Sequence, residues 1–166
     1  MRMKTIFRWC LALGLAGFVS ATAALAALPV VAKAPAWKLK DLDGREIDSA
    51  TLQGKVVVVD FWATWCGPCL AEIPGYIALQ KKYGPDGLVI IGASVDRIPP
   101  DKVKAFAAKQ GINYAIVIAD EALIEGFGGF DAIPTTFLID RAGNIRHQKT
   151  GSMDHAEYEK LVKQVL

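Results

Sequence analysis

Cys66 and Cys69 stand with two residues between them in the stretch Phe61-Trp62-Ala63-Thr64-Trp65-Cys66-Gly67-Pro68-Cys69. Thiols at that spacing can form half of a metal site, a purely structural disulfide, or a dithiol that opens and closes in redox exchange. A zinc site usually takes about four ligands. The chain has one further cysteine, Cys10, and its two histidines, His147 and His155, lie far along the sequence. A structural bond closing so short a loop removes little chain entropy. The surroundings favour exchange chemistry. Val56 to Val59 reads as a buried strand and Leu70 to Tyr83 as a helix, so the chain delivers Cys66 to the first turn of a helix at the end of a core strand. The free N–H groups and dipole at that position favour negative charge. The Cys66 thiol is therefore expected to ionise more readily than a free cysteine, whose pKa is about 8.5. Pro68 suits the first turn, where its missing N–H costs nothing. Cys66 is expected to face outward and attack. Cys69, one turn later, is expected to face inward and resolve.

A buried Cys69 ionises reluctantly and needs a proton acceptor. Asp60, a carboxylate at the end of the core strand, can serve near neutral pH if its pKa is raised. The plainer alternative is a solvated strand end. Trp65 is expected beside Cys66 as an apolar contact for a partner, and Trp62 in the core.

The elements that hold these residues follow in order. Trp37 to Leu42 and Arg45 to Asp48 read as strands joined by the Asp43-Gly44 turn. Leu88 to Val95 is a buried strand, and Pro99-Pro100-Asp101 opens a helix that stops at Gly111. Tyr114 to Ile118 is a strand, and Asp120 caps a short helix ending near Gly126. Pro134-Thr135-Thr136 leads into another strand, Arg141 to Asn144 turns, and Ile145 to Thr150 returns. Asp154 opens a last helix. Strands alternating with helices predict a layered α/β fold.

Composition bounds the setting. The chain has 166 residues, 52% of them hydrophobic, with formal net charge +2. Met1 to Arg8 holds three bases and no acid, and Trp9 to Ala32 holds no charge. A basic start, an apolar run and small residues at Ala24-Leu25-Ala26 make an export signal. The same run is long enough to span a bilayer, which takes roughly 20 residues. Residues 1–27 are thus a signal peptide or an N-terminal membrane anchor, with a possible tether through residues 9–32. Either way the domain is exported. The Ala-rich second half favours cleavage. Arg8 ahead of Cys10 argues against a lipid-attachment site. Without residues 1–27, the remaining 139 residues hold 16 bases against 17 acids. That balance offers no basic surface for nucleic acid.

The run Phe61 to Cys69 resembles the active site of thioredoxin-fold oxidoreductases. Its continuation Cys69-Leu70-Ala71-Glu72-Ile73-Pro74 is similar to the TlpA/ResA/CcmG branch of extracytoplasmic thiol–disulfide oxidoreductases. Ile133-Pro134-Thr135, just before a strand, is the second feature of that resemblance. The resemblance implies an α/β thioredoxin-like three-layer sandwich over residues 37–166, with an N-terminal β-hairpin and a central insertion, after a linker at 28–36. It implies a cis Pro134 facing Cys66, a second candidate base in Glu72, and a partner-binding rim of Trp65, Gly67, Pro68, Ile133 and Pro134. The plainer alternative for Glu72 is an exposed helix position. Asp60 departs from relatives with a neutral residue there, leaving open whether Asp60 or Glu72 handles the proton. The implied activity is reduction of protein or peptide disulfides by the Cys66/Cys69 dithiol, with no cofactor or metal, in the periplasm or at the outer face of the membrane. A membrane electron donor would keep it reduced, and apocytochrome c during its maturation is one implied disulfide substrate. Two alternatives stand beside it: a thiol peroxidase of related fold, whose P-x-x-x-T-x-x-C setting this chain lacks, and a non-enzymatic interaction module.

Overall fold

The structure is a computed structural model that describes residues 28–166. Residues 1–27, expected as a signal peptide or membrane anchor, lie outside the described residues. Val56–Trp62 forms β4, buried along its whole length. It is the middle of a six-stranded sheet whose order is β1 (Ala32–Lys33), β8 (Asn144–Thr150), β7 (Thr135–Ile139), β4, β5 (Leu88–Ser94) and β6 (Ala115–Ile118). Strands β5 and β6 run parallel to β4, whereas β7 and β8 complete the other half antiparallel. Runs of β-branched residues buried on both faces fit the centre of such a sheet.

Because side chains alternate along a strand, β4 feeds two cores. Val57, Val59 and Phe61 pack with Phe137, Leu123 and Phe127, the last two from α3 (Glu121–Gly126) and its cap. Val56 and Val58 pack with Tyr76 and Leu79 of α1 (Gly67–Tyr83) and with Tyr158 and Val162 of α4 (His155–Val165). Trp62 joins Cys69 and Ile73 against Val103 of α2 (Pro100–Lys109). Pro74 lies inside α1 without ending it. The buried stripe of α1 is Cys69, Ile73, Tyr76 and Leu79.

The expected N-terminal hairpin is β2 (Lys38–Lys40) with β3 (Glu46–Asp48), a sheet of its own. It is fastened to the β6 edge by Leu42 N–H donating to Ile116 O at 2.9 Å. The stretch expected as a linker is partly sheet: Ala32–Lys33 forms β1, antiparallel to Ile145 and Asn144 of β8. Its pairing partners lie more than a hundred residues away, so nothing local announces the strand.

Candidate active site

The C-terminal end of β4 turns through Ala63 to Trp65 into α1, and Cys66 is the N-cap of that helix. Its Sγ accepts a hydrogen bond from Cys69 N–H at 3.2 Å. This is the place where helix donors lack an intrahelical partner. Cys66 and Cys69 are joined as a disulfide, with Cα atoms 5.3 Å apart. Cys69 is buried, as expected. Cys66 does not face outward in this oxidised state: it is only 5% exposed. The loop before β7 folds over it, leaving Sγ 3.8 Å from the carbonyl oxygen of Ile133, and the Ile133–Pro134 peptide bond is cis. What the site shows to solvent is its rim: Trp65 is 70% exposed, and Gly67 and Pro68 beside it are also exposed. Trp62 is buried in the core.

A carboxylate outside the expected set holds the turn ahead of Cys66. Asp96, buried just after β5, accepts from Thr64 N–H at 2.9 Å, from Thr64 Oγ1 at 2.7 Å and from Ser94 Oγ at 2.8 Å. Cys66 N–H then closes the turn onto Ala63 O at 3.1 Å.

Behind the cysteines a polar row crosses the sheet. Register sets Asp60 of β4 beside Thr136 of β7, and Thr136 beside Lys149 of β8. Asp60 is no solvated strand end but 4% exposed, and its Oδ1 accepts from Thr136 Oγ1 at 2.8 Å. Tyr76 OH and Thr136 Oγ1 are hydrogen-bonded at 3.1 Å. Burial raises the Asp60 pKa from 3.8 to about 7. The Thr136 hydrogen bond opposes that rise, Glu72 adds to it, and Lys149 opposes it.

Glu72 is likewise no exposed helix position. It lies one turn beyond Cys69 on the same side of α1, its side chain 9% exposed. Its Oε1 accepts from Lys149 Nζ at 2.7 Å and from Met153 N–H at 2.9 Å. Lys149 Nζ also donates to Gly151 O at 2.9 Å and lies 5.9 Å from the Tyr158 ring centre. A cavity of about 60 Å³ opens beside Glu72, bordered by Gly75, Tyr76, Met153, His155 and Tyr158. Glu72 Oε2 and Tyr158 OH are buried without a hydrogen-bond partner among the described residues.

Sequence reasoning missed Asp96, Thr136, Tyr76 and Lys149. Asp96 had a signal, an acid directly after a buried strand, the same placement that singled out Asp60. Lys149 had none, because a lysine in a short strand ordinarily faces water. No group of three or more His, Cys, Asp or Glu side chains that could hold a metal ion occurs among the described residues.

Residues 30–148 match the AhpC/TSA family. The chain is 34% identical over 139 residues to the thiol-disulfide oxidoreductase ResA of Geobacillus thermodenitrificans, an alignment covering 84% of this chain and 79% of that protein. It is 33% identical over 134 residues to ResA of Bacillus subtilis, covering 78% and 74%. Among solved structures, a thioredoxin-family thiol:disulfide interchange protein from Chlorobium tepidum superposes with a TM-score of 0.76 at 35% identity, over 81% of this chain and 95% of that one.

Proposed function

Because the chain belongs to the AhpC/TSA family and is a thiol–disulfide oxidoreductase of thioredoxin fold, we propose that it works outside the cytoplasm as a reductant of protein disulfides. The observation that carries this reading is the hydrogen bond from Cys69 N–H to Cys66 Sγ at the head of α1. A donor aimed at that sulfur favours its thiolate, the nucleophile in exchange.

In the reduced enzyme, the Cys66 thiolate attacks one sulfur of a partner disulfide. The partner's S–S bond breaks, a mixed disulfide forms, and one partner thiolate leaves. Cys69 gives its proton to a carboxylate on the buried face, Asp60 or Glu72. The resulting Cys69 thiolate attacks Cys66 Sγ. The mixed disulfide breaks, the Cys66–Cys69 bond forms, and the second partner thiolate leaves. Two electrons have passed to the partner, and a thiol donor must return the enzyme to its dithiol form. Trp65, Gly67 and Pro68 supply the contact rim, and the Ile133 backbone ahead of Pro134 can pair with an extended partner segment.

The direction rests on the Gly67-Pro68 pair between the cysteines, which is thioredoxin-like; thioredoxin lies near about −270 mV and the oxidant DsbA near about −120 mV. The basic, then apolar, N-terminus supports export, and the likeness to the TlpA/ResA/CcmG branch supports a membrane electron donor and the disulfide of oxidised apocytochrome c as a substrate. Among the described residues no helix is long and apolar enough to cross a membrane, so a tether would be the business of the leader.

A Cys69→Ala variant tests the function. It is expected to stop at the mixed disulfide and hold its partner until a strong thiol is added, and a variant that captures no disulfide-bearing protein counts for the interaction module. The direction is tested separately by equilibrating the wild type with glutathione. A potential near the thioredoxin value is expected, and one above about −170 mV overturns the reductant reading. Peroxide consumption that depends on Cys66 would move the assignment to a thiol peroxidase.

A further inference from the structure

We propose that Lys149 is a positioning residue of this enzyme: its ammonium, seated in one sheet row with Asp60 and bonded to Glu72, lets two carboxylates share a buried site and leaves Asp60 as the one that takes the Cys69 proton. The inference rests on the dithiol reading above and settles a choice that reading leaves open.

Two carboxylates in one low-dielectric layer repel each other, and an unpaired buried charge is costly. Lys149 is the counter-charge. Its side chain is 5% exposed and reaches Glu72 from β8 on the same face of the sheet, two strands away from Asp60. Glu72 is committed by that contact. Its Oε1 already accepts from Lys149 and from Met153 N–H, and taking a proton would break a charge-assisted pair. Asp60 is not committed: its described partner is the Thr136 hydroxyl, which sits between it and Lys149 in the row. A base that gains and loses a proton each cycle should be the group whose partners survive both states. Thr136 can donate to the carboxylate, and its oxygen can equally accept from the protonated acid.

The phenols around Asp60 stay uncharged through the working range. Tyr76 from α1, Tyr114 ahead of β6 and Tyr158 from α4 all have phenols raised well above their ordinary value, mainly by burial. His147, on the same strand as Lys149, is pushed below its ordinary value by burial and then by Lys149. His155 of α4 borders the cavity beside Glu72. The charges that act on Asp60 are therefore Glu72, which raises its proton affinity, and Lys149, which lowers it.

The test removes the charge and keeps donors, with Lys149→Gln in the full chain. The Asp60 carboxyl is followed by carbon NMR in the reduced protein, together with the pH dependence of single-turnover disulfide reduction. Wild-type Asp60 is expected to titrate near about 7. In Lys149→Gln both the titration and the pH of half-maximal rate should move up by about one unit, with KM for the disulfide unchanged, and Lys149→Arg should bring both back. Midpoints that stay in place in a folded Lys149→Gln protein overturn the proposal and leave the dithiol reading untouched. A wild-type Asp60 that titrates like a free carboxylic acid overturns the assignment of Asp60 and this proposal together. If Lys149→Gln does not fold at neutral pH, the Asp60→Asn/Lys149→Gln double variant decides. Recovery of folding supports Lys149 as the counter-charge of two carboxylates, and continued failure shows a purely structural lysine.

Discussion

Strand β4 presents two faces that are equally dry and differ in what they do. On one, Val57, Val59 and Phe61 meet Phe127, Phe130 and Phe137 in an all-apolar layer, with the Phe61 and Phe127 rings edge to face at 5.6 Å. On the other, Val58 is followed by Asp60 and Trp62, and the layer contains Thr136, Lys149, Glu72, Tyr76 and Tyr158. Burial is almost the same on both: Phe61 is 0% exposed and Asp60 4%. One face therefore contributes stability through apolar area, and the other gives up part of that gain to keep ionisable groups out of water. The division matches the disulfide's position, since α1, which carries Cys69 and is capped by Cys66, lies over the polar face.

The sharpest way to break the contrast is Phe61→Ala. The ring is fully buried and contacts three other rings. Its loss should cost about 5 kcal/mol, the upper end for a buried aromatic. Chemical unfolding would measure this. Whatever protein remains folded should reduce disulfides at a near-normal rate, because the ring's aromatic partners are Phe127, Phe130 and Phe137 and neither cysteine belongs to its cluster. A rate loss larger than the loss of folded protein would show that the two faces are coupled.

Asp60→Asn should move stability the other way. The Asp60 pKa is raised on folding from 3.8 to about 7. The folded state therefore holds this proton more tightly than the unfolded chain. That contribution is fully present below about pH 4 and is lost as pH rises through about 7. The amide has no ionisation to suppress. Wild type and variant should melt together near pH 4. The variant should pull ahead between about pH 4 and 7, and the gap should level off above that at no more than on the order of 4 kcal/mol. The same variant should slow the step in which Cys69 displaces the partner. A variant less stable than wild type at pH 8 would mean that Asp60 is held ionised in the fold.

How much of this was legible in the chain depends on how far apart the partners lie. The turn from β4 into α1 is local, so Cys66 at a helix head, Pro68 in the first turn and the inward Cys69 could be read from spacing alone. The cis bond at Pro134 came from resemblance, since the local residues do not impose it. The row Asp60–Thr136–Lys149 joins three strands, 76 residues separating its first pair, and depends on a register that no single segment encodes. The irregularity between Leu138 and Ile139 is part of that register: it lets Ile145 face the aromatic core while His147 and Lys149 face the other side. The burial of Cys66 was missed for a related reason, because the covering loop at Ile133 arrives from 67 residues away.

The smallest stability effect belongs to the rim and separates two tryptophans three residues apart. Trp62 is 2% exposed and packs beside Phe106 at 6.0 Å between centroids, whereas Trp65 is 70% exposed. Trp65 loses little surface to the fold, so Trp65→Ala should change stability by less than about 0.5 kcal/mol. If its exposed indole is a contact for partners, its removal should raise KM for a protein disulfide several-fold. It should leave the rate with a small-molecule disulfide unchanged, because only a large partner reaches the rim. An equal loss with both substrates would place Trp65 in the chemistry of Cys66, whereas no loss with either would leave partner recognition to the Ile133 backbone and the exposed Gly67-Pro68 edge.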